Sequence, residues 1–172
     1  DWEGVKNILL TGERDNFCVL RKSYRNTVEI ANFASDILAH GEFPGYGAEP
    51  VIRHGEAVGI RQTAGRDLYR EAAKICKGWQ TDGFDTIAVI CRDQKQAQET
   101  AELLQKELPV MPWDPEKASF EKGIMVFPVE YTKGLEFDAV LLLSPDRESY
   151  PTDDGHAKLL YVAATRALHR LE

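Results

Sequence analysis

The chain has 172 residues, 43% hydrophobic and 28% charged, values of an ordinary globular domain that exclude a disordered or fibrous protein. No uninterrupted apolar stretch approaches ~20 residues, so no membrane span is expected. The net charge of −7 weighs against a domain that grips nucleic acid through its overall field, though local contacts stay open.

One domain over residues 1–172 is expected, and the start at Asp1 without an initiator Met reads as a piece of a longer protein. No signal-peptide pattern is present, and the three cysteines lack C-x-x-C spacing, which fits a reducing cytoplasm. Cys18 and Cys91 fall in strand-like runs and read as buried thiols, while the scattered histidines support no metal site.

Along the chain, residues 17–20 read as a strand. The helix after it carries Ile30, Phe33, Ala34, Ile37 and Leu38 on one face, with Asn26 and Glu29 as a capping box and Gly41 as a stop. "GEFPGYGAEP" is a loop, and "VIRHGEAVGIRQT" predicts a hairpin bending near Gly55. A second helix over 66–79 gathers Leu68, Ala72, Ile75, Cys76 and Trp79 on one side. "DTIAVIC" is a buried strand, and Asp93 with Gln96 opens a helix that buries Ala97, Ala101, Leu104 and Leu108. After a surface loop, "PWDPEKASFEKG", come the strands "IMVFPV" and "DAVLLL", and then a last helix, "AKLLYVAATRAL". Strands alternating with helices predict an α/β domain with a mostly parallel sheet flanked by helices.

Three polar clusters sit at element junctions, and in open α/β sheets ligands bind beyond the carboxyl ends of the strands. "RKSYRNT" holds Arg21, Lys22 and Arg25 around Tyr24; it suits an anion and a stacked base, or is simply a solvated basic turn. "YTKGLEF" offers Lys133, a glycine at 134 that permits a positive φ, and Glu136 as a hydroxyl acceptor, or is an ordinary loop. Thr165 and Arg166 lie near the end of the last helix, off its apolar stripe through Leu160, Ala164 and Ala167.

Taken together and in order, "LRKSYRNTVEIANFA", "VEYTKGLEFDAVLL" and "LLYVAATRALHRL" resemble motifs IV, V and VI of the UvrD/Rep-type superfamily 1 helicases. "TIAVICRDQKQAQ" resembles the family's nucleic-acid-facing strand-to-helix segment, and the short middle region looks closest to the helicase IV-like branch. The resemblance implies the second, C-terminal RecA-like (2A) domain, of the P-loop-NTPase type but lacking its own P-loop. No Gly-Lys dipeptide occurs in the chain, so the G-x-x-x-x-G-K-[ST] loop is absent. ATP and Mg would be held mainly by an N-terminal RecA-like domain, with this one closing over them.

By the same resemblance Tyr24 stacks on adenine, Arg25 and Arg166 reach the γ-phosphate, and Glu136 bonds the ribose beside Gly134. Arg92, Gln94 and Thr132 are weaker candidates for contacts with single-stranded DNA. The parent protein is then expected to be an ATP-dependent DNA helicase or translocase, inactive as this fragment. An RNA-polymerase-associated remodelling ATPase and a non-catalytic interaction module are the alternatives. One departure stands out: the family often has a histidine three residues before the motif V lysine, where this chain has Glu130.

Overall fold

The computed structural model describes residues 22–23, 25–40, 49–50, 53–63, 65–114, 122–146, 148–151 and 153–172. The expected strand at 17–20, Cys18, Tyr24, Gly41 and residues 115–121 lie outside the described residues.

Two short strands, β1 (Lys22–Ser23) and β2 (Glu49–Pro50), pair in parallel and bracket helix α1 (Val28–His40). The main sheet has five strands: β3 (Thr86–Cys91), β4 (Met111–Pro112), β5 (Gly123–Pro128), β6 (Phe137–Leu142) and β7 (Ala167–Leu171). Their order is β4-β5-β3-β6-β7, and every pairing is parallel. Three helices complete the domain: α2 (Arg66–Thr81), α3 (Gln94–Leu104) and α4 (Asp154–Ala164).

The central runs of β3, β5 and β6 are apolar because successive side chains point to opposite faces and both faces are covered, while Thr86 and Asp138 at the strand starts bond to each other. Ile87, Val89 and Cys91 join Ile124, Val126, Ala139 and Leu141 beneath α2 and α3, where Ala72, Cys76, Trp79, Ala101 and Leu104 meet them. Ala88 and Ile90 join Phe127, Phe137, Val140 and Leu142 on the other face, against Ile30 and Ala34 of α1 and Ala163 and Ala164 of α4. Each fully buried branched or aromatic side chain contributes about 1.5–3 kcal/mol. The result is a helix–sheet–helix sandwich.

Local signals set the helix ends. Asp93 accepts the Gln96 N–H at 2.9 Å while Gln96 Oε1 accepts the Arg92 N–H at 2.7 Å, a reciprocal cap that starts α3. Asp153 likewise accepts the His156 N–H at 3.0 Å. At the far end of α2, Gly83 takes φ +92 and the Phe84 N–H reaches back to the Trp79 carbonyl at 3.1 Å.

Three expectations are corrected. Thr27, not Asn26, caps α1, because its Oγ1 faces the Ile30 N–H at 3.4 Å, and Glu29 turns away to the Gly55 N–H at 2.8 Å. Residues 53–63 form no hairpin; they run as a largely exposed segment without strand pairing, bonded to α1 and β7. The Val28 N–H donates to the Arg53 carbonyl and the Gly59 N–H to the Leu171 carbonyl, both at 3.0 Å. Finally, the last helix stops at Ala164 and the chain turns at once into β7. The edge of β6 needs backbone partners, and β7 supplies them: the Phe137 N–H donates to the Arg166 carbonyl at 2.9 Å and the Leu142 N–H to the Glu172 carbonyl at 2.8 Å.

Candidate active site

The eight residues between β5 and β6 return the chain across the sheet. A single 3-10 turn, Val129–Tyr131, leads through Thr132 to a tight bend in which Gly134 holds φ +83. A side chain there has open space but an unfavourable backbone, so the glycine is required for the conformation and not for close packing. Glu136 then stands immediately before β6, and Arg166 stands immediately before β7.

Phe137 and Ala167 are register partners, so Glu136 and Arg166 are neighbours on the same edge of the sheet. Arg25 joins them from the start of α1, with Nη1 2.5 Å from Glu136 Oε1. Its side chain is largely exposed, at 72%, against 31% for Glu136.

Arg166 is half-buried and strongly constrained. Nε donates to the Val162 carbonyl at 3.0 Å, Nη1 to the Leu135 carbonyl at 3.1 Å and Nη2 to Thr165 Oγ1 at 3.2 Å. Burial draws its guanidinium below the ordinary arginine value, Glu136 pulls it back up, and the like charge of Arg25 lowers it again. An arginine remains charged through shifts of this kind. Two guanidiniums thus lie around one carboxylate, an arrangement with the charge and donor geometry that suits an anion.

Position is corrected here. The Arg25–Glu136–Arg166 group lies at the amino ends of β6 and β7, not beyond the carboxyl ends where a self-contained α/β site would lie. Arg92 and Gln94 are at the opposite edge, where β3 ends and α3 begins. There Gln94 Nε2 donates to the Tyr131 hydroxyl at 2.8 Å, and the Tyr131 ring stacks on Trp113 at 3.9 Å between centroids. Arg92 Nη2 lies 3.5 Å from His156 Nε2. Thr132 is enclosed, and its hydroxyl donates to the Val129 carbonyl at 2.7 Å. It shapes the bend and does not offer its side chain to a ligand. Glu130 is exposed on the same bend.

Two participants were not visible as such in the sequence. Arg53 Nη2 donates to the Arg25 carbonyl at 2.5 Å and to the Leu168 carbonyl at 2.6 Å. Asn26 is buried and donates from Nδ2 to the carbonyls of Thr165, at 3.0 Å, and Ala167, at 2.6 Å. Arg53 lay inside an apparent hairpin, and Asn26 had an adequate local explanation as a cap.

Residues 123–171 match the family model described as UvrD-like helicase C-terminal domain, a span that includes Gly134, Glu136 and Arg166. Among solved structures, the chain resembles the crystal structure of the C-terminal domain of a possible DNA helicase from Lactobacillus plantarum. The two are 27% identical with a TM-score of 0.63, over 87% of this chain and 84% of that one. A search of curated proteins gave no match. Among the described residues, no helix is long and apolar enough to cross a membrane. The five-stranded parallel sheet, the matched segment and the solved neighbour agree on a RecA-like α/β domain that is similar, over residues 123–171, to the C-terminal domain of UvrD-like helicases.

Proposed function

We propose that this domain is the second motor domain of an ATP-dependent superfamily 1 DNA helicase or translocase. It closes over ATP held by an N-terminal RecA-like domain and couples hydrolysis to movement on single-stranded nucleic acid. One observation carries this reading: residues 25, 136 and 166, far apart in sequence, meet on one edge of the sheet.

The group fits a nucleoside triphosphate by the chemistry of its donors. Arg166 is pre-oriented by three bonds, to the carbonyls of Val162 and Leu135 and to Thr165 Oγ1, so little ordering is left for the moment of reaction. Arg25 is exposed and can exchange the Glu136 carboxylate for a phosphate oxygen. Glu136, once released, can accept from a ribose hydroxyl beside the open bend at Gly134. ATP and Mg would be held by the N-terminal domain, where the metal would supply charge neutralisation, and the residues of this chain would add only their guanidiniums and the Glu136 acceptor. Arginines that stabilise the transferring phosphoryl group accelerate the reaction by about 10³–10⁵.

Stepping along the strand follows when two domains grip it with affinities that differ between open and closed clefts. Arg92 and Gln94, on the edge away from the nucleotide group, are the proposed contacts to the strand. The test is hydrolysis by the full-length protein with and without single-stranded DNA. Strong stimulation by DNA that Arg25→Ala abolishes supports the reading, and DNA-independent hydrolysis unaffected by that substitution refutes it.

A second reading is favoured by Glu130, an exposed carboxylate where a strand-facing histidine is usual, and by the net charge of −7. Both repel phosphate. They suit a related ATPase that remodels RNA polymerase, and co-purification with polymerase together with hydrolysis indifferent to DNA would select it.

A further inference from the structure

Thr27 caps α1, and Asn26 beside it is buried with its amide aimed elsewhere. Its two Nδ2 hydrogens go to the carbonyls of Thr165 and Ala167, the two residues that flank Arg166. The Arg166 carbonyl between them accepts the Phe137 N–H of β6, and the next carbonyl, Leu168, accepts Arg53 Nη2. Four successive carbonyls, from 165 to 168, are thus occupied. Three of those donors come from Asn26 and Arg53, and Arg53 also holds the Arg25 carbonyl.

We propose that Asn26 is a positioning residue that fixes the loop carrying Arg25 and the turn carrying Arg166 in one geometry, with Arg53 as a second tie. This rests on the nucleotide reading above. Arg25 is covalently next to Asn26, and Arg166 lies between the two carbonyls that Asn26 holds, so one amide sets the relation between both guanidiniums. The backbone positions that carry the two cations are held relative to each other while the amide is bonded. The chemistry required is specific: two N–H donors on one short, planar group, a demand that aspartate inverts and serine meets only by half.

The experiment uses the full-length protein and measures ATP hydrolysis, nucleotide affinity and thermal unfolding for Asn26→Asp and Asn26→Ser. Asn26→Asp sets a carboxylate against two carbonyl oxygens and should lower kcat by about 10- to 100-fold, the scale of a misplacement of about 1 Å, with nucleotide Kd nearly unchanged. Asn26→Ser, which keeps one donor, should fall between it and the native protein, and it alone carries the test if the aspartate variant does not fold. A lost fold contact lowers stability too, so the deciding readout is a double variant. Combined with Arg166→Ala, the Asn26 substitution should cost clearly less further turnover than it does alone, because part of its effect passes through that arginine and only the part through Arg25 remains.

Folded Asn26 variants with normal kcat would overturn the proposal, as would losses that multiply in the double variant. If Arg166→Ala alone leaves turnover intact, it is the nucleotide reading that fails. If Arg166→Ala abolishes turnover while the Asn26 variants are normal, only the positioning role fails.

Discussion

Arg25 and Glu136 are 111 positions apart in sequence and 2.5 Å apart in the structure, joined by an ion pair at the amino edge of the sheet. Pairs this exposed stabilise folded proteins little. Glu136→Gln should therefore leave stability within roughly 0.5 kcal/mol, measured by urea unfolding. In the full-length protein the same change should weaken nucleotide binding, because it replaces a charged carboxylate acceptor in the proposed ribose contact by a weaker neutral amide oxygen. A large loss of stability would mean that the pair serves the fold instead.

Glu29 ties α1 to residues 54 and 55. The Gly55 N–H, followed by His54, holds its carboxyl down to about 2 from 4.5. A depressed folded value gives stability that is complete above 4.5 and is lost as pH falls toward 2. Glu29→Gln should thus lower the midpoint of thermal unfolding at pH 6, and the gap to the native chain should close between pH 4.5 and 2. A gap that stays constant across that window would contradict the assignment.

Cys76 and Cys91 are both buried, and burial pushes each thiol up to about 12. Neither should react with iodoacetamide at pH 8 in the folded domain, and both should be labelled in urea, as read by peptide mass. Rapid native labelling at either position would show that the sheet beneath α2 and α3 opens locally.

Ile90 lies at the centre of the sheet, fully enclosed among Ala34, Phe127, Val140 and Ala163. Ile90→Ala removes atoms that the rigid strands around it cannot replace, and should cost about 2–5 kcal/mol by urea unfolding. A loss under 1 kcal/mol would mean that the face toward α1 and α4 collapses to fill the space.

The three long strands were legible because "TIAVIC", "IMVFPV" and "DAVLLL" are apolar at every step after the opening Thr86 and Asp138, a pattern that short strands covered on both faces carry. Helices α2 and α3 were legible from their stripes, and α3 also from its Asp93–Gln96 cap. "ALHRL" was not, because nothing local distinguishes it from the end of the preceding helix; pairing with β6 decides it. Residues 53–63 failed for a similar reason: a glycine inside a strand-like run signals a bend, but the backbone partners of this largely exposed segment come from α1 and β7 and not from a second strand. Within the site, the charged residues could be picked out by motif. Their edge of the sheet could not, since the usual carboxyl-end rule describes domains that hold the phosphates themselves. The supporting amide of Asn26 was hidden for a different reason. Its partners are carbonyls, which carry no sequence signature.

The most direct measurement is ATP turnover by the full-length protein carrying Arg166→Ala. With the guanidinium gone and the triphosphate still held by the N-terminal domain, kcat should fall by about 10³ or more while nucleotide Kd changes little. A kcat near that of the native protein would contradict the account at its centre.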